Sequence, residues 1–371
     1  MANQALQSTD ERERALLAPY AMFSNLSEGR RYEEAEHPYR SSFQRDRDRI
    51  VYSAAYRRLS GKMQVFTGDM GDYHRTRLTH TQEVASIART MGRALRLNED
   101  LIEALSLFHD IGHPPYGHAG EDALDECLAD EGGFSHNQYA LTIAEELEIR
   151  HQSFPGLNLT KEVLSGQATR VDKEADGVLP LLEAQVVEAA DSMTYDAHDV
   201  DDALKLGLVT LDEVHEQEMI RTCVDLIKQR ESDLGPEEYI RALIHTMVDC
   251  QVTNVLENAG PFLAHSGWTS INDVRQSDYR IGTVGELADT KKAMEGFLYE
   301  RVYRHPELIK TRKRAQSQIH TLFDTFVANP DPMPLRFKKR IEVVGLRRSV
   351  GDYIAGMTDR FFEQQYLGFV G

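Results

Sequence analysis

Three histidines and three acidic residues lie close together in the stretch LSLFHDIGHPPYGHAGED, from Leu105 to Asp122. His109 is followed directly by Asp110, and imidazole nitrogen together with carboxylate oxygen binds divalent cations well. A single His-Asp dipeptide is also common on protein surfaces. The interpretation as a metal site therefore depends on further ligands from elsewhere in the chain.

His80 is the first candidate for such a ligand. It lies near the start of one helical pattern, THTQEVASIARTMGRALRL, whereas His109 and Asp110 lie at the end of the next, NEDLIEALSLFHD, in which Asn98 is a plausible N-cap. If the two helices run antiparallel, these ends meet. The histidine from one helix and the His-Asp pair from the other can then converge on one divalent cation.

Asp191 is the second candidate, because it interrupts VVEAADSMTY, a stretch that otherwise predicts a buried helix. An isolated carboxylate is costly to bury without a partner. Tyr195 and Asp199 follow at steps of four residues, so the three side chains share one helix face. The alternative is an acidic stripe facing solvent, because Glu188 and further aspartates lie in the same segment.

After Asp110 the chain leaves its helix, because Pro114 and Pro115 prevent helix continuation. His118 and Glu121 follow, one helical turn apart. A histidine beside a carboxylate can act as an oriented general acid or base. His113 has three interpretations: a residue that supports the metal ligands, a phosphate donor or a structural histidine.

The elements that must position these residues are mostly helices. A further helical pattern covers the segment from Pro180 to Gly207. Four more helical patterns run from Leu211 to Arg230, Pro236 to Ala259, Ala288 to His305 and Lys310 to Asn329. Strand patterns are short, and the best are YRIGTVG around Tyr279 and RIEVVG around Ile341. Loops are expected at 67–73, 130–134 and 168–179, and the last is a candidate for a flexible insertion.

The composition favours a globular protein without a membrane span. The 371 residues are 41% hydrophobic and 27% charged, the first residues contain no apolar run, and a cytoplasmic location is expected. Cys127, Cys223 and Cys250 form no CxxC pair, so any metal should be held by nitrogen and oxygen ligands.

The net charge of −18 argues against general nucleic-acid coating, but nine Lys/Arg against four Asp/Glu occur between Arg40 and Arg77. Such a local excess of positive charge suits a small polyanion in a pocket. The alternative for the run RDRDR is a solvated helix face whose charges pair with one another. The chain contains neither a GxxxxGK[ST] phosphate loop nor a GxSxG nucleophile elbow.

His80, His109-Asp110 and Asp191 match the H…HD…D signature of HD-domain phosphohydrolases. The flanking sequences YRRLSGKMQVF, RTRLTHTQEVASIARTMGRAL, HDIGHPPYGHAGEDALDE, GGFSHNQYAL, LEAQVVEAADSMTYDAHDVDDAL, FLYERVYRH and DYIAGMTDR are more specific. They resemble the deoxyguanosinetriphosphate triphosphohydrolase-like branch of that family, in order along most of the chain. The resemblance implies a mainly α, HD-domain helical fold with additional C-terminal helices and a few short strands. It implies an N-terminal extension over 1–40, a catalytic domain over 41–305 and a C-terminal helical region over 306–371.

The resemblance also implies roles for particular residues. A divalent metal ion (Mg, Mn or another first-row transition metal) would be bound by His80, His109, Asp110 and Asp191. The catalytic residues would be His118, Glu121 and His136. The substrate would be bound by Arg77 at the phosphates and by Gln64, Tyr195, Asp199 and Tyr303 at the sugar. Further candidates for binding the triphosphate are Lys291, Lys292 and Arg301.

The activity implied is hydrolysis of a deoxynucleoside triphosphate (dNTP) to the deoxynucleoside and inorganic triphosphate. Further expectations from relatives are a second nucleotide as an effector, single-stranded nucleic acid as a partner, and a homo-oligomer without membrane association. Two alternatives remain. One is another HD phosphohydrolase acting on a nucleotide monophosphate or a cyclic dinucleotide. The other is a nucleotide-sensing or nucleic-acid-binding protein with low turnover.

Overall fold

Helices dominate the structure, a computed structural model that describes residues 7–64, 75–172, 178–230 and 233–370. Their bounds follow in chain order. They are α1 (Thr9–Leu16), α2 (Ser42–Val51), α3 (Ala54–Arg58), α4 (Arg77–Ala94), α5 (Glu99–Phe108), α6 (Gly117–Cys127), α7 (His136–Thr142), α8 (Lys161–Val171), α9 (Leu182–Lys205), α10 (Leu211–His215), α11 (Glu218–Arg230), α12 (Pro236–His265), α13 (Ile271–Arg275), α14 (Glu286–Leu298), α15 (Pro306–Ala328), α16 (Leu335–Val344), α17 (Leu346–Ala355) and α18 (Asp359–Phe369). The predicted mainly α fold is confirmed.

Local sequence signals explain several helix ends. Asn98 caps α5, because its Oδ1 accepts hydrogen bonds from the amides of Asp100 and Leu101 at 3.1 and 3.3 Å. Ser41 and Gln44 form a reciprocal capping box at the start of α2. Gly207 follows α9 with φ +66°, in the left-handed region that often ends a helix.

The chain divides into two compact units. The first contains residues 1–26, 83–106 and 176–308, and in it α9 packs on α12, which also packs on α11. The apolar face of α9 is buried there, as its spacing predicts, with Val186, Ala190 and Val200 fully inaccessible to solvent. The second unit contains residues 27–82, 107–175 and 309–371, and in it α7 packs on α8 and α17 on both α6 and α16.

The two strand predictions are wrong. Residues 340–344 of RIEVVG belong to α16, where the same apolar residues continue a helix that buries Phe337. YRIGTVG is a loop, whose Ile281 amide donates to Gln185 Oε1 at 2.9 Å. Within the described ranges, β-pairing is limited to isolated bridges such as that between Arg30 and Thr160.

Two long helix predictions are interrupted in the structure. The segment from Leu211 to Arg230 breaks between α10 and α11, and the segment to His305 ends in a π-helical turn at Tyr299–Tyr303. Of the expected insertion, residues 168–171 continue α8 and 173–177 lie outside the described residues, as do the residues of the expected loop at 67–73. No helix among the described residues is long and apolar enough to cross a membrane.

Candidate metal and catalytic site

His80, His109 and Asp110 form a buried cluster in the second unit. His80 lies in the first turn of α4, and the other two residues directly follow α5, so the predicted meeting of these helix ends is found. The two imidazole centroids are 5.6 Å apart, and each of the three residues offers a ligand atom within 4.8 Å of the others. All three are at most 5% exposed. Two imidazoles and one carboxylate are a donor set that fits a divalent first-row ion.

Both oxygens of Asp110 have partners within the protein. Arg77 Nη1 donates to Oδ2 at 3.0 Å, and His113 Nε2 lies 3.1 Å from Oδ1. Burial alone would raise the pKa of Asp110, but the neighbouring side chains of His113, His109 and Arg77 hold it well below its usual range. The carboxylate is therefore ionised and fixed in orientation, as a metal ligand requires.

Arg77 was not expected to bind Asp110. Its guanidinium is buried, and Nη2 also donates to the backbone oxygen of Gln64 at 3.1 Å. Gly117 makes room for it: a Cβ there would lie 2.7 Å from Nη2, and the φ of Gly117 is +56°. The predicted contact of Arg77 with substrate phosphates, and that of Gln64 with the sugar, stay predictions.

A second cluster surrounds Glu121 in the same unit. His118 Nδ1 lies 3.0 Å from Glu121 Oε2, and His136 Nδ1 lies 2.7 Å from Oε1, which also accepts from the His136 amide at 2.8 Å. Burial opposes the charge of Glu121, yet the hydrogen bonds of both histidines hold its pKa far below the usual range. The three predicted catalytic residues therefore lie together: His118 and His136 both contact the ionised carboxylate of Glu121.

His113 connects the two clusters. Its ring stacks on that of His136 with centroids 3.7 Å apart, while its Nε2 contacts Asp110. It is 2% exposed, and burial, with the nearby charge of Arg77, lowers its pKa well below the usual value. Sequence reasoning left three roles for His113, and its contacts in the structure favour the supporting one.

The turn that carries these histidines is held by residues that sequence reasoning did not select. Asp359 accepts hydrogen bonds from the amides of Met63 and Tyr116 at 2.9 and 3.0 Å. Lys62 is buried, and its Nζ donates to the backbone oxygens of His113 and Ala355. Burial lowers the pKa of Lys62 to about 7. A lysine within GKMQ gives no local sign of burial, so no sequence signal identifies this role.

The predicted sugar residues Tyr195, Asp199 and Tyr303 meet within the first unit. The Tyr303 hydroxyl donates to Asp199 Oδ2 and is also hydrogen-bonded to the Tyr195 hydroxyl. The two rings are parallel, with centroids 6.3 Å apart. Burial, together with the charge of Asp199, raises the pKa of Tyr303 well above its usual value. Asp191 lies on the same helix α9 and is half-buried, and its role as a metal ligand stays a prediction.

The three candidates for triphosphate binding, Lys291, Lys292 and Arg301, also belong to the first unit. Lys291 binds the buried carboxylate of Asp196 and lies 3.1 Å from Glu295. Arg301 forms an ion pair with Glu213, and Lys292 is exposed. Two of these three cations are thus engaged by carboxylates.

Comparison with known sequences places this geometry in a class. The sequence model of the HD domain matches residues 77–196, and that of the phosphohydrolase-associated domain matches residues 283–367. The first match includes both clusters of the second unit. The helical fold and the buried His-Asp cluster define an HD-domain phosphohydrolase, a class of metal-dependent enzymes.

Curated relatives are similar over nearly the whole chain. A deoxyguanosinetriphosphate triphosphohydrolase-like protein of Geobacter metallireducens is 40% identical over 364 residues, which cover 94% of each chain. Proteins of the same description from Leptospira interrogans and Nitrosomonas europaea are each 38% identical, covering 96% and 95% of this chain and 97% of their own. The chain belongs to the deoxyguanosinetriphosphate triphosphohydrolase-like family.

Proposed function

We propose that this protein hydrolyses deoxynucleoside triphosphates to the deoxynucleoside and inorganic triphosphate, with a divalent metal ion. The names of its relatives supply the substrate class. One observation carries the proposal: a buried metal-type cluster and a histidine-carboxylate pair lie in one unit, linked through the 3.1 Å contact of His113 with Asp110. A phosphohydrolase needs both parts, one to bind the phosphate and one to move protons.

His80, His109 and Asp110 would hold the ion, with Asp191 as the further ligand that the sequence predicts. A bound divalent ion supplies Lewis-acid polarisation of a phosphoryl oxygen and acidifies a nearby water. In the reaction, the water oxygen forms a bond to the α-phosphorus, and the bond from the α-phosphorus to the 5′ oxygen breaks. The 5′ oxygen must then gain a proton, while the water must lose one.

His118 and Glu121 are suited to this proton movement. Glu121 fixes Nδ1 of His118, which leaves Nε2 for proton transfer. The ionised carboxylate stabilises the imidazolium that forms when the ring gains a proton. His118 has a 57% exposed side chain, so a substrate can reach it, whereas the carboxylate behind it is 17% exposed.

Tyr195, Asp199 and Tyr303 would bind the deoxyribose. A tyrosine ring against C2′ would leave no room for a 2′ hydroxyl, and Asp199 can accept a hydrogen bond from a sugar hydroxyl. The hydrogen bonds of the Tyr303 hydroxyl to both partners fix this group before substrate binds. Selectivity against ribonucleotides would then be steric.

The test is product analysis in water labelled with ¹⁸O. The protein is incubated with Mg²⁺ or Mn²⁺ and each dNTP, alone and in mixtures, with ribonucleotides for comparison. We expect inorganic triphosphate that carries the label, because attack occurs at the α-phosphorus. Release of pyrophosphate or orthophosphate, or label in the deoxynucleoside, would contradict the proposal.

The same reactions test whether a second nucleotide acts as an effector, since an effector would raise the hydrolysis of another dNTP in the mixtures.

His118→Ala tests the catalytic site. Its matched control is His320→Ala, because His320 also pairs with a carboxylate, Glu126, at 3.1 Å. We expect the first variant to lose most turnover and the control to retain it.

A further inference from the structure

We propose that His113, His118, Glu121 and His136 form a second metal site, selective for imidazole-binding ions such as Zn²⁺ or Co²⁺, whose occupation stops turnover. Each residue offers one ligand atom, and all four atoms lie within 4.8 Å of one another. Three imidazoles and a carboxylate are a typical zinc donor set. The inhibitory part rests on the proposed function, whereas the binding part does not.

The contacts of His113 support metal binding. Its Nε2 lies 3.1 Å from Asp110 Oδ1, and because a carboxylate oxygen accepts hydrogen bonds, Nε2 is the donor in this contact. Nδ1 is then a lone pair, and this buried atom has no hydrogen-bond partner among the described residues. A histidine that donates one ring nitrogen to a carboxylate and presents the other to a metal is the common arrangement in metal sites.

The other ligands are placed by short, well-fixed segments. His118 and Glu121 lie at the start of α6, one helical turn apart, and His136 is the first residue of α7. Gly112 fixes the distance between the turn and α7, because a Cβ there would lie 2.0 Å from the His136 backbone oxygen. Glu121 already touches His118 and His136 at 3.0 and 2.7 Å. Tetrahedral ligands about 2.0–2.1 Å from Zn²⁺ are separated by about 3.4 Å, which is within the 4.8 Å range of the four ligand atoms, and the stacked rings of His113 and His136 would rotate to direct their nitrogens at the ion.

An ion can reach the cluster from solvent, because its four side chains differ in exposure. The side chain of His113 is 3% exposed, those of Glu121 and His136 are 17% and 15% exposed, and that of His118 is 57% exposed. A hydrated ion can therefore meet His118 first and exchange its waters for the deeper ligands. Mg²⁺ prefers oxygen ligands and keeps its waters, so it should not fill this site.

Occupation of this site removes the proton-transfer pair. The imidazole of His118 and the carboxylate that orients it would both be ligands of the ion. The protein would then hold two ions, one at His80, His109 and Asp110 and one at the second cluster. The first would support turnover and the second would prevent it.

The experiment counts bound ions directly. Metal-free protein is titrated with Co²⁺, with visible absorption and equilibrium dialysis as readouts, and we expect two ions in the wild type. His118→Ala should bind one ion. Its affinity for an ion at the second site should fall at least about 100-fold, because even the loss of a residue that only supports a metal ligand lowers affinity up to about 100-fold. His109→Ala should lose the first ion instead, and His320→Ala should bind two. Circular dichroism confirms folding of each variant.

A single ion in the wild type, or two ions in both His118→Ala and Glu121→Gln, would overturn the binding part. For inhibition, buffered Zn²⁺ is added to the Mg²⁺ reaction, and we expect loss of turnover at the concentration that fills the second site. Full turnover with two ions bound would overturn that part. If two ions bind but no dNTP yields triphosphate with Mg²⁺ or Mn²⁺, the proposed function fails while the second site stands.

Discussion

Gly117→Ala tests whether the position of Arg77 matters for the chemistry. Gly117 has φ +56°, and an added Cβ would lie 2.7 Å from Arg77 Nη2, too close for both to remain in place. The guanidinium must shift, which disturbs its hydrogen bonds to Asp110 Oδ2 at 3.0 Å and to the Gln64 backbone oxygen at 3.1 Å. The substitution therefore acts on the metal ligand Asp110 through Arg77, without touching Asp110 itself.

Two contributions to the effect can be separated, because one lowers stability and the other lowers the reaction rate. The left-handed backbone costs a non-glycine residue about 1–2 kcal/mol, which is a loss of stability. A hydrogen bond to a charged group contributes about 1.5–3 kcal/mol. If that contribution is lost from the transition state, the rate falls about 10- to 150-fold. Gly132→Ala is the matched control, because Gly132 has φ +87° and a Cβ there would meet nothing within 4 Å.

The assay is kcat/KM for Mg²⁺-dependent dNTP hydrolysis, together with thermal unfolding of both variants. We expect similar losses of stability, but a loss of activity in Gly117→Ala alone. An Arg77→Met background completes a double-mutant cycle, in which Gly117→Ala should add no further loss of activity. Equal activity of Gly117→Ala and Gly132→Ala would refute the reasoning, as would full additivity in the cycle.

Three further predictions concern the metal, the buried lysine and the sugar residues. Asp110→Asn should lose bound Mn²⁺ and activity together, whereas His118→Ala should keep the ion at the first cluster and lose most turnover. Metal analysis and the product assay on each variant distinguish the two results, and retained activity in either variant would contradict the assignments. Because the pKa of Lys62 is about 7 in the folded protein, unfolding between pH 7 and about 10 takes up a proton there. Wild-type stability should therefore rise relative to Lys62→Met by up to about 1.4 kcal/mol per pH unit, which denaturant titrations at pH 7 and 9 measure; a constant difference would count against the buried lysine. Tyr303→Phe removes the donor to Asp199 and the contact with the Tyr195 hydroxyl, so KM for dNTPs should rise more than kcat falls, and an unchanged KM would argue against a sugar role.

Periodicity was sufficient to predict most of the helices, because burial of one face decides their sequence pattern. It failed at RIEVVG, where β-branched residues favour a strand locally but belong to α16, which buries Phe337. YRIGTVG failed for a different reason. Its backbone is held by side chains that are distant in sequence, such as Gln185 at Ile281 and Asn254 at Val284.

The cluster of His80, His109 and Asp110 could be predicted because helix ends set its geometry. The partners of these residues could not be predicted, since the contact of Arg77 with Asp110 and the stacking of His113 on His136 depend on how loops fold back. The burial of a polar residue such as Lys62 could not be predicted either, because local composition does not show which backbone oxygens will accept hydrogen bonds from its side chain.

The hydrogen bonds of Asp359 to Met63 and Tyr116 have a consequence for biosynthesis. They join residues 296 and 243 positions apart. At a synthesis rate of roughly 5–20 residues per second, Met63 is added to the chain about 15–60 s before Asp359. The turn that carries the histidines cannot reach its final anchored form during that interval. The nascent chain therefore gains its complete site only after Asp359 has been made, however early its helices form.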